Sequence, residues 1–106
     1  MADYIVKDEK GKDHAFSSIE RARLFAIGVL ERNPSKRNVD IEKRLYDKGH
    51  YGNSFWFGEV YFDRATYNYI YRRWDGKEWV LKKDGSLWGE SNTISFKQKT
   101  NRTKKR

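Results

Sequence analysis

Cysteine is absent from the 106 residues, which excludes a disulfide scaffold and any thiolate zinc site and suits a reducing cytosol. Long apolar runs are missing as well. The longest, Leu24 to Leu30 with Gly28 inside it, falls far short of the ~20 residues that span a bilayer. The opening residues turn charged at Lys7 after Tyr4-Ile5-Val6 and hold no h-region of a secretory signal. A soluble cytoplasmic protein that does not insert into membranes is expected.

Groups that carry catalysis are scarce. Only two histidines occur, His14 and His50, and neither belongs to a metal-ligand spacing such as His-x-x-x-His. The eight glycines are scattered into turns and form neither a Walker-type nor a dinucleotide-binding loop. In Asp40-Ile41-Glu42-Lys43 the order resembles the acid-plus-lysine group of metal-dependent nucleases, but adjacent Glu42 and Lys43 point to opposite faces of a strand. Ser17-Ser18 serves better as a helix cap than as a nucleophile. No enzymatic activity, cofactor or metal is therefore expected.

Hydrophobic residues make up only 37% of the chain, yet 17 aromatics supply burial, since each large ring removes roughly 150 to 250 Å² from water. That is enough for one core, and the length leaves no room for a second. The formal charge of +8 is concentrated at the end: residues 97–106 hold six basic and no acidic side chains, and residues 1–96 balance 17 basic against 15 acidic. The expected organisation is a single domain over 1–96 followed by a basic tail over 97–106. With no apolar residues to bury, the tail is expected to be disordered when free.

Tyr4 to Phe16 alternates around a turn near Gly11, a hairpin pattern. Ser17-Ser18-Ile19-Glu20 reads as a capping box with Ser17 as N-cap, opening a helix to about Arg32 that Asn33, in a left-handed C-cap, and Pro34 would stop. Ile19, Ala22, Ala26, Val29 and Leu30 form its apolar stripe, and Leu24 and Ile27 lie off it. Val39 to Tyr46 alternates as a strand, Asp47 to Ser54 reads as a loop, and Phe55 to Phe62 and Tyr67 to Trp74 read as strands. Asp75-Gly76 and Asp84-Gly85, two strong hairpin signals, imply a meander of three short strands. The class is α+β: an N-terminal hairpin, one long helix, then an antiparallel and strongly curved β-meander.

A three-residue loop with Gly76 at a left-handed position pairs Arg72 with Glu78, Tyr71 with Trp79 and Ile70 with Val80, matching like with like. One face then carries Tyr67, Tyr69, Tyr71, Trp79 and Leu81, and the other carries Ile70, Val80 and Trp88. In the preceding strand Phe55, Phe57 and Tyr61 oppose Trp56, Val60 and Phe62, so both faces are expected to be apolar or aromatic. One helix, about 10 Å wide against strands about 4.8 Å apart, shields only two or three strands. The surplus surface must be buried by a rolled sheet, meet a second copy in a homodimer, or stay exposed to bind a partner.

Aromatics interleaved with cations suit single-stranded nucleic acid, since bases stack on rings while cations follow the phosphates. Tyr67, Tyr69, Tyr71, Arg72, Arg73, Trp74, Lys82 and Lys83 are the candidate contacts, with Lys97, Lys99, Arg102, Lys104, Lys105 and Arg106 of the tail adding attraction to any polyanion. The reading is a small non-enzymatic binding module for nucleic acid or a nucleoprotein. Its alternative is a protein-interaction or homodimerisation domain using the apolar helix and aromatic sheet. No RNP-like, KH-type or zinc-knuckle motif accompanies the rings.

Overall fold

The computed structural model describes residues 2–47 and 50–90. Its elements are β1 (Ala2–Lys7), β2 (Asp13–Phe16), α1 (Ile19–Arg32), β3 (Asn38–Asp47), β4 (His50–Asp63), β5 (Asn68–Arg73), β6 (Glu78–Leu81) and β7 (Leu87–Glu90). The strands pair antiparallel in one seven-stranded sheet of order β2-β1-β3-β4-β5-β6-β7, an α+β fold of hairpin, helix and meander. Among the described residues no helix is long and apolar enough to cross a membrane. The tail cations Lys97, Lys99, Arg102, Lys104, Lys105 and Arg106 lie outside the described residues.

α1 begins one residue later than the capping box implies. The chain stays extended through Ser18 (φ −125°, ψ 134°), whose hydroxyl accepts from the amides of Glu20 and Arg21 at 3.1 and 3.4 Å. At the other end Asn33 does not turn left-handed (φ −134°, ψ 75°). Its side-chain amide donates to the Val29 carbonyl at 2.8 Å and its backbone N–H to that of Leu30 at 3.2 Å, satisfying the last carbonyls without a positive φ.

Ala22, Ala26 and Val29 are fully buried and meet Val6, Ile41 and Val60 of the sheet. Each large apolar side chain placed there contributes about 1.5–3 kcal/mol. Ile27 joins the core at 3% exposure despite lying off the main stripe, whereas Leu24 stays 44% exposed.

The expected loop over Asp47–Ser54 is largely strand. β3 and β4 pair down to Asp47 opposite His50, and Gly52-Asn53 is absorbed as a bulge beside Leu45. Glycine and asparagine are turn formers, but inside a pairing strand they mark an irregularity rather than an end. A second bulge at Phe57, between the pairs Ile41–Gly58 and Glu42–Trp56, breaks the alternation of β4. Phe57 therefore meets Tyr4 edge to face at 5.3 Å on the helix side, together with Val60 and Phe62, and Trp56 turns to the opposite side.

The meander follows the like-with-like register: Arg72 opposes Glu78, Tyr71 opposes Trp79, and Ile70 opposes Val80, with Gly76 at φ 88°. Tyr69, Tyr71, Trp79 and Leu81 face the helix. Both ends of the sheet reach that helix: Phe16 of β2 packs its ring 5.3 Å from Phe25, and the β6–β7 turn docks against the N-terminal half of α1. One helix thus reaches from β2 to the β6–β7 turn, while Leu45 and Phe55 at the far end of β3 and β4 stay exposed.

Candidate nucleic-acid interface

The β4–β5 turn is built by Asp63. Its carboxylate accepts from the Ala65 amide at 3.0 Å and the Thr66 hydroxyl at 2.9 Å, and its carbonyl accepts from the Tyr67 amide at 2.7 Å. This holds Tyr67 at φ 59°, a left-handed conformation that bulky residues rarely adopt. The Tyr67 ring is 79% exposed and sits 6.2 Å from Phe62, which in turn lies 5.0 Å from Tyr69.

Beside these rings a cleft of about 300 Å³ opens between the last turn of α1 and the sheet, lined by Leu30, Glu31, Pro34, Lys36, Phe62, Arg64 and Tyr69. Burial, reinforced by Glu31, pushes the Tyr69 hydroxyl above its ordinary pKa. Lys36 and Arg64 make no ion pair with any described residue. Because β6 runs antiparallel to β5 with Val80 opposite Ile70, the β6–β7 turn with Lys82 and Lys83 lies at the same end of the sheet as Tyr67. Of the acids there, Asp63 and Asp84 are engaged by turn donors, the latter by the Ser86 amide and hydroxyl. Glu31 and the negative end of α1 make the helix side of the cleft unfavourable to anions, so its cationic side is that of Arg64, while Lys82 and Lys83 share only the end of the sheet.

The remaining ring and cation candidates are placed elsewhere. Tyr71 is 3% exposed, stacked on Trp79 at 5.6 Å and 22°, with its hydroxyl pushed up to about 12 by burial. The Arg23 guanidinium lies 5.0 Å over that ring and donates from Nε to the Gly85 carbonyl at 2.8 Å. Gly85 sits at φ 86°, so close to α1 that a Cβ there would stand 2.8 Å from the Glu20 carbonyl oxygen. Arg73 pairs with Asp75 and lies 5.0 Å over Trp79. Trp74 is 60% exposed, but its amide donates to the Phe57 carbonyl at the opposite end of the sheet from Tyr67. Arg72 points to the face away from the helix, where it is held by Glu59 and Glu78.

That open face is a chain of polar side chains rather than an aromatic one. Trp56 Nε1 donates to Asp40 at 3.0 Å, Asn38 bridges Asp40 and Glu59, Arg72 joins Glu59 to Glu78, and the Tyr61 hydroxyl donates to Glu78 at 2.8 Å. Burial raises the Tyr61 hydroxyl's pKa, so it remains a donor. Among the described residues only Ile5, Ile70 and Val80 are buried apolar side chains there, which revises the expectation of two apolar faces.

The structure thus gathers Tyr67, Tyr69, Lys82 and Lys83 at one end and separates them from Tyr71, Arg72, Arg73 and Trp74. Lys36, Phe62 and Arg64 complete the group and were not singled out from the sequence. No local signal marks them, because the segment before β3 and the turn after β4 meet only through the antiparallel pairing of those two strands. His14 does meet a carboxylate, Asp8, at 2.8 Å, but neither residue lines the cleft. His50 is exposed on β4. Among the described residues no group of three or more His, Asp or Glu side chains could hold a metal ion. Compared with protein-family models, curated proteins and solved structures, the chain matches none.

Proposed function

We propose that this chain is a non-enzymatic binding module that takes single-stranded nucleic acid at the β4–β5 end of its sheet. Bases would stack against Tyr67, Phe62 and Tyr69, with phosphates following Arg64, Lys82 and Lys83. Tyr67 carries this reading: its ring is 79% exposed at φ 59°, beside a cleft flanked by two cations with no ion pair among the described residues. Such a backbone conformation costs of order 1–3 kcal/mol and persists only where its surroundings hold it, a pattern that clusters at functional sites. The six cations of residues 97–106 would add a sequence-independent attraction by counterion release. The absence of cysteine agrees with the reducing cytoplasm, the compartment this reading assigns.

Fluorescence anisotropy with a labelled single-stranded oligonucleotide tests it. Binding should be measurable near about 50 mM salt and weaken steeply by about 200 mM. Tyr67→Ala should lower the affinity about 5- to 150-fold, the equivalent of one stacked base at roughly 1–3 kcal/mol. Removing residues 97–106 should flatten the salt dependence without abolishing binding. Absence of binding at the lower salt would remove the reading.

A further inference from the structure

α1 is the only helix among the described residues, and it packs on one face of the sheet. Across the other face Asp40, Glu59, Arg72 and Glu78 stand opposite one another on β3, β4, β5 and β6, and Glu42 lies two residues along β3 from Asp40. This band carries four carboxylates and one guanidinium, in a chain whose net charge is +8. Asp40 and Glu42 are exposed and make no ion pair with any described residue. At their end of the band the face sinks into a cleft of about 200 Å³ lined by Ile5, Lys7, Asp13, Lys36, Asp40 and Glu42, where Lys7 is already held by Asp13 at 2.7 Å. Trp56, opposite Glu42, is 43% exposed.

The chain supplies a cationic partner at the other end of this band. β7 ends at Glu90, opposite Trp79, the neighbour of Glu78. Residues 91–96 follow without a charge, and residues 97–106 hold six cations and no acid. From β7 to β3 is four strand spacings, about 19 Å, and six extended residues cover about 20 Å. Lys97 and the cations after it are therefore within reach of Asp40 and Glu42. Ile94 and Phe96, two residues apart, fall on one side of an extended segment, the side that would meet Trp56.

We propose that the open face of the sheet is the docking surface of the chain's own C-terminal segment, which crosses β6, β5 and β4 and sets its lysines and arginines against Asp40 and Glu42. Charge and connection select this occupant over a second copy. Whole chains of +8 repel one another, whereas a segment tethered beside the band meets it at an effective concentration in the millimolar range. The cleft beside Tyr67 opens between α1 and the sheet, on the other face, and the inference does not depend on what it binds. A polyanion would compete with the face for the same cations.

Because the chain has no cysteine, Thr103→Cys offers a single attachment point for a nitroxide on the full-length protein. At about 50 mM salt, where screening is weak, the amide resonances of Asp40, Glu42, Trp56 and Glu59 should lose most of their intensity, and those of α1 should keep theirs. Salt at about 1 M, where the screening length falls to about 3 Å, should restore the lost signals. Asp40→Asn combined with Glu42→Gln, exposed substitutions that keep side-chain size, should restore them at low salt with unchanged circular dichroism. An equimolar mixture of nitroxide-bearing chains with isotope-labelled chains that lack the nitroxide should show no loss, because the contact is made within one chain. Equal loss on α1 and the band, no loss at low salt, or loss that persists in the neutralised variant would overturn the proposal. So would loss in the mixture, which would assign the face to another chain's cations.

Discussion

Two groups of aromatic rings flanked by a pair of cations have opposite fates in this molecule. In one, Arg23 and Arg73 flank the stacked rings of Tyr71 and Trp79 beneath α1. In the other, Arg64 and Lys36 flank Phe62, Tyr67 and Tyr69 at the end of the sheet. Composition does not separate them. What separates them is where the helix lies and whether each cation already has a partner: Arg73 has Asp75 and Arg23 has the Gly85 carbonyl, whereas Arg64 and Lys36 have no ion pair among the described residues. The covered group is packed into the core and the open one is accessible.

Disturbing the covered group should break the symmetry most visibly. Tyr71→Ala empties a core site and leaves Arg23 without its ring, so urea denaturation should show a loss of about 3–5 kcal/mol. Oligonucleotide affinity of the remaining folded protein should be unchanged. Gly85→Ala should cost about 1–3 kcal/mol, since its φ of 86° and the 2.8 Å approach to the Glu20 carbonyl both resist a methyl group. If either variant lowered affinity at constant fold, the division into core and recognition groups would fail.

The sequence reveals the meander because its signal is local: Asp75-Gly76 fixes the turn, and matched pairs fix the register of Tyr71 with Trp79. The helix is equally readable, apart from a cap displaced by one serine. Features set between distant segments were hidden. The bulge at Phe57 swaps the faces of Phe57 and Trp56, and nothing in the run Phe55-Trp56-Phe57 announces it. Arg72 reads as the cross-strand partner of Glu78, but its second partner, Glu59, emerges only from the β4–β5 register. The cleft escapes for the same reason, since Lys36 and Arg64 belong to different loops that only the paired β3 and β4 bring together.

A sharper comparison comes from a substitution with opposite effects on the two properties. Tyr67→Gly removes an exposed ring but relieves the positive φ of 59°. It should leave stability unchanged or raise it by up to about 1 kcal/mol while lowering oligonucleotide affinity by roughly 1–3 kcal/mol. Thermal melting and anisotropy on the same sample read both. A loss of stability without loss of affinity would make Tyr67 a packing residue and move the open group into the class of the covered one.

The smallest effect should come from acid, and it also discriminates between the groups. The hydrogen bond from Arg73, aided by the Lys77 amide, holds the Asp75 carboxyl at about 2, below the ordinary 3.8. A folded-state pKa below the unfolded one means that the unfolded chain takes up the proton first as pH falls. The stabilisation is therefore complete above pH 3.8 and is lost as the pH drops from there toward 2. Asp8, held at about 2 chiefly by its hydrogen bond with His14, contributes in the same window at the β1–β2 turn. Protonating Asp75 frees the Arg73 guanidinium above Trp79, whereas Arg64 and Lys36 have no described ion pair to lose. Over this range the Trp79 indole N–H resonance should shift, and Asp75→Asn should abolish that shift. A Trp79 shift that persists in Asp75→Asn would mean that the Arg73–Asp75 pair is not what ties this ring to acid.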